Sequence, residues 1–343
     1  MINDEFLQLF VYGIFVFSIV AYSTLDGFDL GVGCLHLFAK GDNERRLMIN
    51  AIGPVWDGNT TWIVIGGGTL FAGFPRIFSI IMPNLYTFVM ILLFALMLRG
   101  AAIEFRGKRP GKRWRSVWDV AFFSASLLLT LDIGVILGNL IQGMPLNFQG
   151  ELQGTFTDLL HPYAFLIAFL ALSIFMMHGS IYLLMKTEGA LHDRLRIWVK
   201  RLIILFIAVW VIATGCTFVY NSHMIAPLLD KPYLAVFAIA CIFCILAIPQ
   251  AIKKQRDGWA FIASCFSIIF LLLLFIIGTF PRIVYSTIDP ERNSLTLYNG
   301  SSGPITLLVL TIIALLGVPL AFFYSSYIYK VFKGKIKLDP MSY

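Results

Sequence analysis

Long apolar runs separated by short polar connections fill this chain from end to end. A membrane-spanning helix needs roughly 20 mostly apolar residues. Nine runs meet that length: Phe6–Phe38, Met48–Phe74, Ile77–Leu98, Val117–Ile141, Leu160–Met185, Leu202–Tyr220, Tyr233–Ile252, Trp259–Phe280 and Ile305–Tyr329. The pattern predicts an all-α polytopic membrane protein with nine transmembrane helices. Connections such as Leu98–Ser116, Gln142–Leu159 and Pro281–Pro304 are too short to hold a soluble domain, so residues 1–343 read as a single membrane domain. Similar acidic and basic turns follow the first and fifth helices, at Gly41-Asp42-Asn43-Glu44-Arg45-Arg46 and Leu191-His192-Asp193-Arg194-Leu195-Arg196. They suggest two four-helix units plus one peripheral helix.

Composition agrees with the pattern: 59% of the 343 residues are hydrophobic and only 13% charged. The net charge of +7 is informative through its placement. Of the 26 basic residues, 22 fall in the connections after odd-numbered helices, from Lys40 through Lys337. Only Arg76, Lys231, Arg282 and Arg292 lie on the other side. The positive-inside rule then puts the N-terminus outside and the C-terminus in the cytoplasm. The acidic opening Met1-Ile2-Asn3-Asp4-Glu5 is unlike a secretory signal, so the first helix is expected to be retained. All five cysteines fall inside predicted helices, and Cys241-Ile242-Phe243-Cys244 reads as packing rather than a redox pair.

Against this apolar background three carboxylates stand out, Asp26 and Asp29 in the first helix and Asp57 in the second. A charge at the bilayer centre costs at least ~2.5–3.5 kcal/mol, so such acids need partners or a function. Asp29 lies nine residues before Phe38, and Asp57 lies nine residues after Met48. At 1.5 Å per residue both acids sit ~13–14 Å from the basic end, where they could face each other. Asp26, three residues before Asp29, shares its helix face one turn deeper. The three form a ladder of the kind a proton route or cation site requires. The other reading is helix-packing glue, with the acids bonded to Asn59, Thr60, Thr61 or backbone freed by Pro54. Arg99 is the available counter-charge. Asp132 is a further intramembrane acid, toward the outer half, and its role is left open between packing and function. Gly58, Gly66, Gly67, Gly68 and Gly73 remove bulk from the second helix and permit close approach by neighbours.

A heme site would need axial His or Met ligands facing a shared cavity. Of the five histidines only His178 lies well inside a helix, and ordinary polar packing accounts for it. No phosphate-binding loop, metal-ligand cluster or nucleophile elbow is present, so any reactive centre belongs to another chain.

The motifs themselves are more specific. Asp26-Gly27-Phe28-Asp29-Leu30-Gly31-Val32-Gly33, Asn43-Glu44-Arg45-Arg46 with Met48-Ile49-Asn50, Pro54-Val55-Trp56-Asp57-Gly58-Asn59 and Gly67-Gly68-Thr69-Leu70-Phe71-Ala72 closely resemble subunit II of the cytochrome bd quinol oxidases. Phe105-Arg106-Gly107-Lys108, Trp114 to Asp119, Gly138-Asn139-Leu140-Ile141-Gln142-Gly143 and Asp257-Gly258-Trp259-Ala260-Phe261 agree. The resemblance implies a heme-free multi-pass subunit of a bacterial or archaeal plasma membrane, in a heterodimer with subunit I. That partner would carry two b-type hemes and heme d and oxidise quinol. Small single-helix accessory subunits, bound lipid and a structural quinone fit the same picture; nucleic acid does not. It also implies a proton pathway through Asp26, Asp29 and Asp57, with Asn59 and Arg99 supporting. The implied function is scaffolding of subunit I and uptake of cytoplasmic protons for reduction of O2 to water. Asp132 matches no family motif. A proton- or cation-coupled secondary transporter using the same acids is the alternative that the physics alone allows.

Overall fold

A computed structural model describes residues 3–336 and 338; Met1, Ile2 and Lys337 of the readings above lie outside the described residues. Eleven principal helices make up the bundle. They are α1 (Asp4–Leu35), α2 (Gly41–Ile52), α3 (Trp56–Gly73), α4 (Pro75–Asn84), α5 (Tyr86–Arg106), α6 (Lys112–Gln142), α7 (Pro162–Lys186), α8 (Gly189–Tyr220), α9 (Ala235–Lys253), α10 (Asp257–Thr279) and α11 (Pro304–Val331). Eight helices among the described residues are long and apolar enough to cross a membrane; the count reaches nine if α3 and α4 are taken as one span.

The second and third predicted helices differ from the observed ones, and proline explains both differences. Pro54 has no N–H to offer the Asn50 carbonyl, so the 48–74 run breaks at Gly53–Val55 into α2 and α3. Pro75 bars Phe74 from helical geometry, and Phe74 takes φ −133° and ψ 59°. As a result α4 leaves α3 at 116°. The predicted 77–98 run is thus shared between α4 and α5, and α5 extends to Arg106.

At the centre of the bundle α1 packs against α3, α6 and α7, while α7 also contacts α8 and α10. Burial grades outward from there: 61% of the apolar window of α7 is buried, against 11% for α11. Glycine sets the tightest seam. A β-carbon on Gly31 would overlap the carbonyl oxygen of Phe175, and one on Gly179 would crowd the backbone nitrogen of Val32, so α1 and α7 touch main chain to main chain. Such contact is how helices gain dispersion energy where lipid removes the hydrophobic drive. In α3 the expectation holds for Gly66 and Gly73, which meet Ile19 and Val11 of α1. Gly67 and Gly68 instead have nothing within 4 Å.

The two ends of the bundle are closed differently. At the basic end, Asp119 of α6 receives Arg106 of α5 at 2.5 Å, His36 at 2.6 Å and Arg45 of α2 at 2.9 Å. Asp42 joins Arg106 and Arg115, Glu44 pairs with Arg194, and Asp257 with Arg196. At the opposite end the 143–161 and 280–303 connections interlock: Met144 N–H donates to the Tyr285 carbonyl, Thr287 N–H to that of Met144, and Asn293 to that of Leu146. A two-stranded antiparallel sheet, β1 (Arg282–Val284) with β2 (Leu295–Thr296), stiffens this cap.

The α1–α7 seam makes a stability prediction. Gly31→Ala must push α1 off α7 and is expected to cost ~1–3 kcal/mol. Gly215→Ala in α8, where nothing lies within 4 Å, should leave stability unchanged. Thermal unfolding of the detergent-solubilised protein compares the two, and equal melting temperatures would refute the seam as a determinant.

Candidate functional site: the acids of the α1–α3–α5 seam

Asp26 and Asp29 are both fully buried on the face of α1 that meets α3. Their spacing of three residues puts them on one face, but their partners differ in kind. Arg99 of α5, itself 1% exposed, sits with Nη2 2.7 Å from Asp26 Oδ1. Thr60 Oγ1 lies 3.1 Å from the same oxygen and accepts from Arg99 Nη2 at 2.7 Å. Asp26 is therefore one half of an ion pair buried between α1, α3 and α5.

Asp29 has no ion-pair partner among the described residues. Its bond comes from Asn59 of α3, whose amide donates to Oδ2 at 2.8 Å and to the Leu25 carbonyl at 3.2 Å. The Asn59 oxygen in turn accepts from the Tyr329 hydroxyl of α11 at 2.9 Å. A chain of side chains thus runs from Asp29 through Asn59 to Tyr329. Asp29 Oδ1, Asp26 Oδ2, Arg99 Nε and Nη1 and Tyr22 Oη are buried with no partner among the described residues. Tyr22 lies four residues before Asp26, on the same helix face. Five orphaned polar atoms are thereby gathered within about two helical turns of α1 and the facing turn of α5.

Asp57 is placed elsewhere. Positions two apart on a helix point about 200° apart, so with Asn59 aimed at α1, Asp57 is turned away from it. The side chain is exposed on the isolated chain, and Asp29 and Asp57 do not face each other. The count from Met48 fails because the Gly53–Val55 break resets the phase of α3. Asp57 lines a small cavity of about 30 Å3 with Asn59, Tyr324 and Tyr329. Asn59 and Tyr329 therefore stand between the two acids. Asp57 also occupies the first turn of α3, where the helix dipole favours an anion. Its neighbours along the exposed stripe of α3 are Thr61, Val64, Gly68 and Phe71.

Thr60, named from the sequence as a packing partner for the acids, bonds Asp26. Tyr329 was not singled out by sequence reasoning: it is 270 positions from Asn59 and nothing local signals it. The Asp119 cluster was missed as well, although Arg106 and Asp119 are charges near the ends of apolar runs. Asp132 is 5% exposed with Oδ2 unpaired, and none of the acids above is joined to it by a hydrogen bond.

Three of the five histidines are held by bonds within the chain. His178 Nε2 donates to the Thr24 carbonyl at 3.0 Å, Nδ1 lies 2.7 Å from the Ser264 hydroxyl, and the ring stacks on Phe261. His36 is held by Asp119, and His223 bonds the Ile141 carbonyl while stacking on Tyr285. His223 lies in the cap, where burial lowers its pKa from the usual imidazole value.

Comparison with known proteins fits this architecture. The chain is 31% identical to the cytochrome bd-I ubiquinol oxidase subunit 2 of Escherichia coli K12, over 99% of this chain and 98% of that one. It is 31% identical to the cytochrome bd ubiquinol oxidase subunit 2 of Bacillus subtilis, over 94% and 95%. In three dimensions it matches a chain of the bd oxidase from Geobacillus thermodenitrificans with a TM-score of 0.79, at 17% identity and covering 95% and 98% of the two chains, which shows a shared fold. Residues 7–332 match the family model described as cytochrome bd terminal oxidase subunit II, and the chain belongs to that family.

Proposed function

We propose that this chain is the heme-free scaffold of a bd-type quinol:O2 oxidoreductase, docks on a heme-bearing subunit I, and carries protons from the cytoplasm toward the site of O2 reduction. The observation that carries the proton reading is the unequal treatment of Asp26 and Asp29. Asp26 is fixed by Arg99, so protonating it would strand a buried guanidinium. Asp29 is held by an amide alone and keeps one oxygen free, so it can gain and lose a proton without breaking an ion pair. Buried polar atoms such as those around Tyr22 and Arg99 are ordinarily satisfied by ordered water, the medium through which such a relay runs.

Asp57 supports the docking reading. An acid, a threonine and glycines along an exposed stripe of a membrane helix make a poor lipid surface, since a charge facing lipid costs ~2.5–3.5 kcal/mol or more. A protein partner resolves this, and α11 extends the same face. In this reading Asp29 accepts protons inside the chain and Asp57 hands them across the interface. The hemes and quinol expected on the partner supply the electron transfer and the oxygen chemistry; this chain binds, orients and moves protons. We read the bundle as nine spans in two four-helix units plus α11, with the basic end cytoplasmic and the acids in the cytoplasmic half. The transporter alternative draws no support from the family to which the chain belongs.

Asp29→Asn should lower oxygen consumption by the purified, fully hemylated complex about tenfold or more, in line with the loss of a proton-transfer group. An unchanged rate with unchanged heme absorbance would refute the relay. Asp57→Asn should slow turnover likewise, and loss of the partner on purification would instead assign Asp57 to docking alone. Arg99→Gln leaves Asp26 buried and unpaired and should destabilise the protein by ~3–5 kcal/mol. The Asp26→Asn/Arg99→Gln double variant should recover part of that loss in thermal unfolding. No recovery would show that the pair is not the source of the effect.

A further inference from the structure

At the basic end, where α7 and α11 finish, the residues after α11 fold back beneath α7 and enclose a cavity of about 320 Å3. Gly334, at φ +106°, supplies the reversal, a conformation that L side chains rarely adopt. The fold-back is held by Ile336 N–H donating to the Lys186 carbonyl, Lys186 Nζ to the Phe332 carbonyl at 2.7 Å, and Lys335 Nζ to the carbonyls of Leu184 and Thr187 at 3.0 and 2.9 Å.

These bonds leave the cavity strongly positive. Lys186, Lys333 and Lys335 line it, and among the described residues no Asp or Glu does. An ammonium has three donors. Lys186 uses one and Lys335 two, so three donors remain on those two, and the three of Lys333 bring the N–H groups available to six. The backbone N–H groups of Lys333, Gly334 and Lys335 make no backbone hydrogen bond among the described residues. Carbonyl dipoles at the end of α7 satisfy donors without neutralising charge. Three like charges around one cavity repel each other, and a multivalent oxyanion relieves that repulsion while accepting several N–H bonds.

We propose that this cavity is a phosphate-binding site, taking either the phosphate of a membrane lipid headgroup or a free inorganic phosphate. The place favours such a ligand, because spanning helices end at headgroup depth and basic pockets between them there bind anionic headgroups. The inference stands apart from the proton reading, since it uses none of the buried acids. It gives the fold-back a role: an occupied site clamps the end of α11 to α7.

The test is thermal unfolding and native mass spectrometry on the delipidated, purified complex. Inorganic phosphate, phosphatidylglycerol and phosphatidylcholine are titrated separately, the first against chloride at matched ionic strength. Lys333→Gln is the informative variant, because its ammonium bonds nothing in the described chain and the fold-back survives its loss. Wild type should be stabilised and should retain the ligand; Lys333→Gln should bind about fivefold more weakly, the weight of one lysine at a membrane surface. Stabilisation by phosphatidylglycerol but not phosphate assigns the site to lipid, and stabilisation by phosphate assigns it to the free anion. No effect of either, an equal effect of phosphatidylcholine, or an unchanged response in Lys333→Gln would overturn the proposal.

Discussion

The ion pair between Arg99 and Asp26 governs the arrangement of the seam. Neither residue tolerates burial alone, since removing one partner of such a pair costs ~3–5 kcal/mol. Together they fix the depth of α5 against α1, and Thr60 ties α3 to the same point. With Asp26 engaged in this way, Asp29 one turn nearer the basic end is left to the neutral amide of Asn59. Two acids with the same side chain, on the same helix face, thereby acquire different chemistry from their neighbours alone.

Packing and polarity divide the labour along α1. Toward α7 the helix is stripped of side-chain bulk at Gly31, so the two backbones approach and leave no room for solvent. Toward α3 and α5 it carries its acids, where polar atoms are abundant and not all paired. A single helix thus presents a dry face and a polar face at one depth. The rigid contact on the dry side holds the geometry on the polar side constant.

Much of this was legible in the sequence, for reasons that can be named. The membrane class, the all-α fold and the family follow from local signals: run length, charge and contiguous motifs around Asp26, Asp29 and Asp57. The i, i+3 relation of Asp26 and Asp29 also survives, because α1 is unbroken between them. What failed was any inference carried across a proline. Pro54 shifted the phase of α3 and turned Asp57 outward, and Pro75 bent α4 out of the predicted third helix. Tyr329 and the Asp119 cluster were hidden because their partners are brought together only by tertiary folding; Asp119 draws its partners from three separate segments of chain.

The outermost helix, α11, is fastened at both ends and bare between them. At one end Ser302 donates from N–H to the Gly73 carbonyl and from its hydroxyl to that of Ala72. At the other, Lys186, Lys335 and Ile336 lock its continuation to α7, and Tyr329 adds a bond to Asn59. Most of its apolar length is exposed. A neighbour that settles against it meets a surface whose backbone is already ordered. Its association then proceeds with little loss of conformational entropy from this chain, and even a modest contact area can yield a durable complex.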